Sequence, residues 1–337
     1  MPELPEVETI KRGLNKVIVG KTITGFERRD MKVIQFEPEE VIGSEITEIE
    51  RRAKILIFHL SRAVISTPQE LRVEKSSDHI KISPPPTRMS GSRDGKVLLT
   101  HLKMTGQLIW EENAGETAFE LKKIRPSTEL RTATQRVAGG HPSPDWMAKL
   151  PNAYTRAIFR FDDNSVLFFN DLRRFGYMKL YKTADLDLLT ELKKLGPDAL
   201  SDKLTVEYLM RKASKIPNRK IKQFITDQEI ISGVGNIYVD EALFYAKISP
   251  LRPVREIKLI EWQRIKGSIV KALELGLKYG GSSEDTYVDA FGNQGTMNDH
   301  TKVYRHTGAP CPDGCSGTIK RIVVGGRGTH FCPACQI

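Results

Sequence analysis

Between Lys21 and Phe26, and again from Val41 to Ile49, apolar and polar side chains alternate with the two-residue period of strands that bury one face. Ile55-Leu56-Ile57-Phe58 is a more continuous apolar run, Leu98 to Gly106 adds another segment, and Ala157 to Phe169 reads as a hairpin turning at Asp163-Asn164. A β-sandwich fits these segments. Ahead of them Pro5 to Leu14 reads as a helix, because Pro5 suits a first turn and Glu6 and Glu8 complement its dipole. The texture changes at Leu195-Gly196-Pro197-Asp198, and from Thr205 onward helical periodicity dominates. Thr226 to Ser232 reads as the end of a helix, Gly233-Val234-Gly235 as a tight turn, and Asn236 as the N-cap of a helix running to Ala246, with a further amphipathic helix over Glu261 to Leu277. The expected fold class is α+β: a sandwich domain with an N-terminal helix over 1–188, a linker over 189–200, a helical domain over 201–299 and a small module over 300–337. Two stretches near 61–96, with Pro84-Pro85-Pro86, and 111–150 lose all periodicity and read as irregular insertions.

Charge changes this picture. The 337 residues carry 52 Lys and Arg against 42 Asp and Glu, a formal charge of +10 with pI near 9.3, which favours a polyanionic partner such as nucleic acid. No apolar run approaches the ~20 residues of a membrane span, and the acidic N-terminus is unlike a secretory signal, so a cytoplasmic location is expected. All 4 cysteines, Cys311, Cys315, Cys332 and Cys335, lie near the C-terminus. Two close pairs read as a tetrathiolate zinc site rather than two disulfides, although Cys-Pro-Asp-Gly-Cys is one residue longer than the regular knuckle of the second pair.

Chemistry concentrates at the start, Met1-Pro2-Glu3-Leu4-Pro5-Glu6-Val7-Glu8. Once Met1 is removed, Pro2 offers a secondary amine, and an α-amino group with a pKa of roughly 7.7 to 8.0 is partly neutral at physiological pH. Condensed with the aldehyde-level C1′ of a sugar, it gives a positively charged iminium, with Glu3 and Glu6 near enough to move protons. The plainer alternative is an ordinary capped helix. Elsewhere, Gly233 and Gly235 would let a phosphate approach the amides at the following helix N-terminus. Met104, Phe175 and Arg173 are the apolar wedge, flat aromatic and cation that filling the hole left by a flipped base requires, or else a core methionine and a packed phenylalanine.

The run PELPEVE from position 2 resembles the start of the formamidopyrimidine-DNA glycosylase family, related to the endonuclease VIII enzymes. Arg51-Arg52-Ala53-Lys54, His101-Leu102-Lys103-Met104-Thr105-Gly106, Asp171-Leu172-Arg173-Arg174-Phe175-Gly176, Gly233-Val234-Gly235-Asn236-Ile237-Tyr238 and Gly325-Gly326-Arg327-Gly328 resemble that family's motifs in order. The resemblance implies Pro2 as nucleophile, Glu3 as main proton shuttle with Glu6 assisting, and Lys54 as a cation reaching the site and phosphate. It implies Met104, Arg173 and Phe175 as the void-filling trio. Asn236, Lys222 and Arg327 would grip phosphate, in a helix-two-turn-helix domain and a zinc finger holding one structural ion. A monomer is implied that excises oxidised purines from damaged double-stranded DNA and nicks the strand by β,δ-elimination. The polar run after Gly280 would contribute to base recognition. Lys103 and Leu172 depart from the commoner Gly and Pro, and the insertions lie outside the resemblance. Leu4 and the trio argue against an endonuclease VIII-like enzyme for oxidised pyrimidines, and Pro2 with Glu3 against a non-catalytic zinc-bearing DNA-binding protein.

Overall fold

The computed structural model describes residues 2–62, 95–112, 136–139, 150–282 and 295–337. Helix α1 (Leu4–Val17) opens the chain and outruns the predicted helix at its C-terminal end, burying Leu4, Val7, Ile10 and Leu14 along one stripe. Two five-stranded sheets follow. One has the order β1 (Ile23–Arg28), β8 (Thr155–Phe161), β9 (Val166–Asp171), β6 (Gly106–Glu111) and β7 (Arg136–Gly139). The other has the order β2 (Ile34–Gln35), β10 (Tyr177–Lys182), β5 (Lys96–His101), β4 (Ile55–Arg62) and β3 (Ser44–Arg52). Their facing sides, with Leu56, Phe58, Leu98, Leu108, Phe159, Leu167 and Phe169, enclose one core into which α1 inserts Val7, Ile10 and Leu14.

The continuous run in β4 has a simple cause. Leu56 and Phe58 point into that core, while Ile55 and Ile57 join Val97, Leu99, Leu186 and Leu192 on the other face, so both faces are covered and alternation disappears. The hairpin of β8 and β9 turns as expected, with Asn164 at φ 65. The second irregular stretch holds one regular element that the composition concealed: β7 pairs antiparallel with β6, Leu108 opposite Gly139 through Glu111 opposite Arg136. The rest of that stretch, and residues 63–94, lie outside the described residues.

The helical part comprises α2 (Thr190–Lys193), α3 (Val206–Ala213), α4 (Ile221–Ile225), α5 (Asn236–Ala246) and α6 (Leu259–Lys278). Thr205 caps α3 by accepting from the Tyr208 amide at 3.1 Å. The helix expected to end near Ser232 ends at Ile225. Residues 228–232 instead lie beside the linker, with Gly196 N donating to Gln228 O at 2.8 Å, Ala199 N to Ser232 O at 3.0 Å and Ser232 N to Pro197 O at 3.0 Å. Those backbone groups are satisfied sideways rather than along a helix. α5 is buried nearly all round in a core that includes Leu4, so the first turn of the chain belongs to the packing of the helical domain. The C-terminal hairpin of β11 (Lys320–Val324) and β12 (Arg327–Phe331) lies beyond a small cluster of Phe244, Val303, Cys311, Ile319 and Cys332 that seats the cysteine module on α5. Among the described residues no helix is long and apolar enough to cross a membrane.

Candidate active site

Pro2 is buried at the junction of the sandwich and the helical domain, and the residues after it are tied to α5. Leu4 N donates to Gly233 O at 3.0 Å, and Ile237 N donates to Glu3 Oε1 at 3.0 Å. The two glycines are there for this contact. A Cβ on Gly235 would lie 2.2 Å from the Glu3 carboxyl carbon, and one on Gly233, whose φ is +98, would lie 2.6 Å from Leu4 Cδ1. The sequence suggested that these glycines admit a phosphate, but the anion occupying the helix N-terminus is the carboxylate of Glu3. Asn236 is correspondingly not the N-cap; Gly235 is, and Asn236 is the first helical residue, its side chain used elsewhere.

Glu6 is held by donors on both oxygens. Glu3 N reaches Oε2 at 2.8 Å, while the Tyr238 hydroxyl at 2.6 Å and Ser282 N at 2.8 Å reach Oε1. Glu3 differs in having a buried Oε2 with no hydrogen-bond partner among the described residues. Opposite stands Lys54, from the β3–β4 turn in which Ala53 takes φ 56; its Nζ is buried and donates to Val234 O at 3.1 Å. Burial pushes the Glu3 carboxyl up and Lys54 holds that rise back, while Glu6 adds to it. Burial pushes the Lys54 ammonium down, against the opposing pull of Glu3. The result is a carboxyl and an ammonium each drawn toward its neutral form beside Pro2. His101 adds a neutral imidazole, its pKa lowered to about 3 by burial and by Lys103 and Lys54, with Nδ1 accepting from Lys103 N at 3.0 Å. That turn puts Lys103 at φ 52, which accounts for the commoner glycine there.

Lys222 and Asn236 meet at one carbonyl, that of Gly328, next to Arg327 in the chain. Lys222 Nζ donates to Asp240 Oδ1 at 2.7 Å and to Gly328 O at 3.1 Å, and Asn236 Nδ2 donates to the same Gly328 O at 3.0 Å. Asp240 also accepts from His330 N at 2.8 Å, so α4 and α5 fasten both ends of the short segment after Arg327, whose own side chain is exposed. Lys222 is 1% exposed and committed to protein acceptors, a position that holds the hairpin. Met104, Arg173 and Phe175 come together on the sandwich surface. Arg173 Nη1 lies 3.3 Å from Met104 Sδ and its guanidinium 4.9 Å from the Phe175 ring centroid, with Met104 and Phe175 41% and 51% exposed. Two loops carry them, braced by Asp171, which accepts from Thr105 Oγ1 and at 2.7 Å from Gly176 N. Large apolar side chains left in water beside a cation are not core residues.

All four cysteine sulfurs lie within 4.8 Å of one another, with Cys311 to Cys335 at 3.7 Å and Cys315 to Cys332 at 3.5 Å. A tetrahedron with Zn–S of about 2.3 Å has edges of roughly 3.8 Å, so the set fits one zinc ion and the longer first knuckle is accommodated. Residues after Ser282 as far as 294, where the sequence suggested a base-recognition loop, lie outside the described residues. Tyr238 and Ser282 were not singled out in the sequence as site residues. Tyr238 stood inside the Gly-Val-Gly-Asn-Ile-Tyr run, and that adjacency was the only signal it gave.

A β-sandwich, a helical domain whose α5 starts at a glycine turn and a four-cysteine finger, converging on the first residues of the chain, define a three-part architecture of sandwich, helix-two-turn-helix domain and zinc finger. Family models match each part: the formamidopyrimidine-DNA glycosylase N-terminal domain over residues 1–178, its H2TH domain over 195–288, and the zinc finger found in FPG and IleRS over 308–337. The chain is 32% identical over 341 residues to the formamidopyrimidine-DNA glycosylase of an Exiguobacterium species, covering 100% of this chain and 99% of that one. It is 33% identical over 345 residues to that of Cytobacillus firmus, covering 100% of both. Among solved structures it is similar to the Lactococcus lactis Fpg in complex with abasic-site DNA, at 29% identity, TM-score 0.73 and 99% coverage of each chain. MutM (FPG) from Thermus thermophilus is similar at 30% identity and TM-score 0.71, with 99% of this chain and 98% of that one covered. The chain belongs to the formamidopyrimidine-DNA glycosylase family.

Proposed function

We propose that this protein is a bifunctional DNA glycosylase and AP lyase of base excision repair that removes oxidised purines, 8-oxoguanine and formamidopyrimidines, from duplex DNA. The observation that carries the reading is the pairing beside Pro2 of the buried Lys54 with a Glu3 carboxyl, one of whose buried oxygens is unengaged among the described residues. The Pro2 nitrogen attacks C1′ of the damaged nucleotide. The glycosidic bond breaks and its electron pair leaves with the base; the C1′–O4′ bond then opens, O4′ taking that bond's electron pair and a proton from Glu3, and the nitrogen lone pair forms the C1′=N iminium. The iminium acidifies the C2′ proton; its loss expels the 3′ phosphate, and a second elimination releases the 5′ phosphate. Glu3, drawn toward its protonated form by burial, supplies and recovers protons, while Lys54 keeps a cation beside it. Glu6, saturated with donors, shapes the site and assists through Glu3.

Met104, Arg173 and Phe175 fill the hole left by the extruded base, with Arg173 facing the orphaned partner. Arg327 contacts phosphate with Asn236 beside it, while the buried Lys222 holds the strand that carries Arg327. The finger's zinc is structural. The protein works as a cytoplasmic, nucleoid-associated monomer, with its working units divided at 189–200 and at 300.

The test uses protein with Met1 removed and labelled duplexes bearing 8-oxoguanine, formamidopyrimidine, thymine glycol or an abasic site, with borohydride. Reduction of the iminium should trap an adduct mapped to Pro2, with the purine lesions excised ahead of thymine glycol. An adduct at Lys54 with Pro2 free overturns the assignment of the nucleophile, and preference for thymine glycol overturns the substrate class.

A further inference from the structure

Adjacent residues of α5 each hold one N-terminal glutamate. Ile237 holds Glu3 through its backbone amide at 3.0 Å, and Tyr238 holds Glu6 through its hydroxyl at 2.6 Å. The other Glu6 oxygen accepts from Glu3 N at 2.8 Å, and that nitrogen is the peptide link to Pro2. A continuous chain of contacts therefore runs from the Tyr238 hydroxyl through the Glu6 carboxylate to the backbone of Pro2. Tyr238 is fully buried in the helical core, so its ring is fixed by packing and its hydroxyl cannot swing away. Room for it has been made on α6: a Cβ on Gly276 would lie 2.5 Å from both the Tyr238 hydroxyl oxygen and its Cε1.

We propose that Tyr238 is a positioning residue for the N-terminal nucleophile, setting Pro2 through Glu6 without touching substrate. The proposal rests on the reading of Pro2 as that nucleophile. A buried hydroxyl donating to a carboxylate is a strong hydrogen bond, and a charged acceptor that loses one of its donors shifts toward whatever donors remain. Because the other oxygen holds Glu3 N, such a shift moves the amine itself. An attacking atom displaced by a fraction of an ångström loses rate while the surfaces that bind DNA stay in place.

Tyr238→Phe keeps the ring and its packing and removes only the donor. Single-turnover adduct formation with borohydride should fall roughly tenfold on both an 8-oxoguanine duplex and a preformed abasic duplex, since both reactions use the same amine. The dissociation constant for a duplex carrying a tetrahydrofuran abasic analogue should stay within about twofold of the wild-type value, because the residues proposed to hold DNA, Met104, Arg173, Phe175 and Arg327, lie on other elements. Gly276→Ala, which pushes the hydroxyl off Glu6 while leaving it present, should show the same split between rate and binding. Rates within twofold of wild type for Tyr238→Phe, or a rate loss matched by an equal loss of DNA affinity, overturn the proposal. Absence of any Pro2 adduct in the wild-type protein overturns the underlying reading instead, so the two failures are distinguishable.

Discussion

Glu3 sets stability against chemistry. Burial raises its carboxyl pKa above the ordinary value of 4.5, so in the window between that value and the folded one the native state binds more protons than the unfolded chain. Stability is then complete below the unfolded pKa and falls as pH rises through the folded one. Glu3→Gln keeps an oxygen for the Ile237 amide and removes the charge, so it should raise the thermal midpoint at pH 8 by roughly 2 °C or more and leave it nearly unchanged at pH 4.5. Strand cleavage should collapse at both pH values. Thermal unfolding with equal midpoints for the two proteins at pH 8 would contradict the buried, raised carboxyl. Single residues were unevenly legible in the sequence. Pro2, Glu3 and Glu6 stand together in one short run, and the cysteines advertise themselves by spacing. Tyr238 does not, because its partner Glu6 is 232 positions away and no periodicity records that separation. Lys222 was visible as a cation, but its burial against Asp240 and Gly328 follows only from how the finger docks.

At the scale of elements, two loops of the sandwich present Met104 and the pair Arg173 and Phe175 to the same patch of solvent. Each loop uses a positive-φ residue other than glycine, Lys103 at 52 and Arg174 at 56, and Arg174 is anchored to Asp30 at 2.6 Å, so the backbone is fixed while the trio stays free to reach. Because this patch supports extrusion and makes no bond to the sugar, Phe175→Ala should slow excision of 8-oxoguanine from duplex by about tenfold and cleavage of a preformed abasic site by less than about threefold. Equal losses on the two substrates, measured in single turnover, would remove the trio from base flipping. Elements were legible where their periodicity was undisturbed, as in β1, β3 and α6. They were misread where a neighbour supplied the hydrogen bonds. Residues 228–232 bond to the linker and so leave the helical pattern, and β7 sits inside a stretch with no alternation because pairing with β6 sustains it.

At the scale of the molecule, the site exists only while the sandwich and the helical domain keep their relation, because Pro2 and Lys54 come from one and Val234 and Ile237 from the other. Arg51 is a central tie. It is 10% exposed, and it bonds Glu8 of α1 through Nε at 2.9 Å, Asp198 of the linker through Nη1 at 2.6 Å and Ala53 O, next to Lys54, at 2.9 Å. Asp198 in turn lies alongside Ser232, one residue before the glycine turn. Burial pushes the Glu8 carboxyl up, but Arg51 outweighs it with help from Lys11 and Arg12, so the net pKa lies below 4.5. For a lowered carboxyl the native state binds fewer protons than the unfolded chain, so the stabilisation is present above about pH 4.5 and disappears as pH falls through the folded pKa. Arg51→Ala should therefore cost roughly 2 kcal/mol in urea unfolding at pH 7, the order expected for losing charged hydrogen bonds at a mostly buried site. As pH falls below about 4.5 and through the folded pKa of Glu8, its share of the stabilisation is lost and the gap between the two proteins should narrow. A gap of the same size at both pH values would mean that Arg51 contributes packing alone, leaving the domains held by the Glu3, Leu4 and Lys54 contacts.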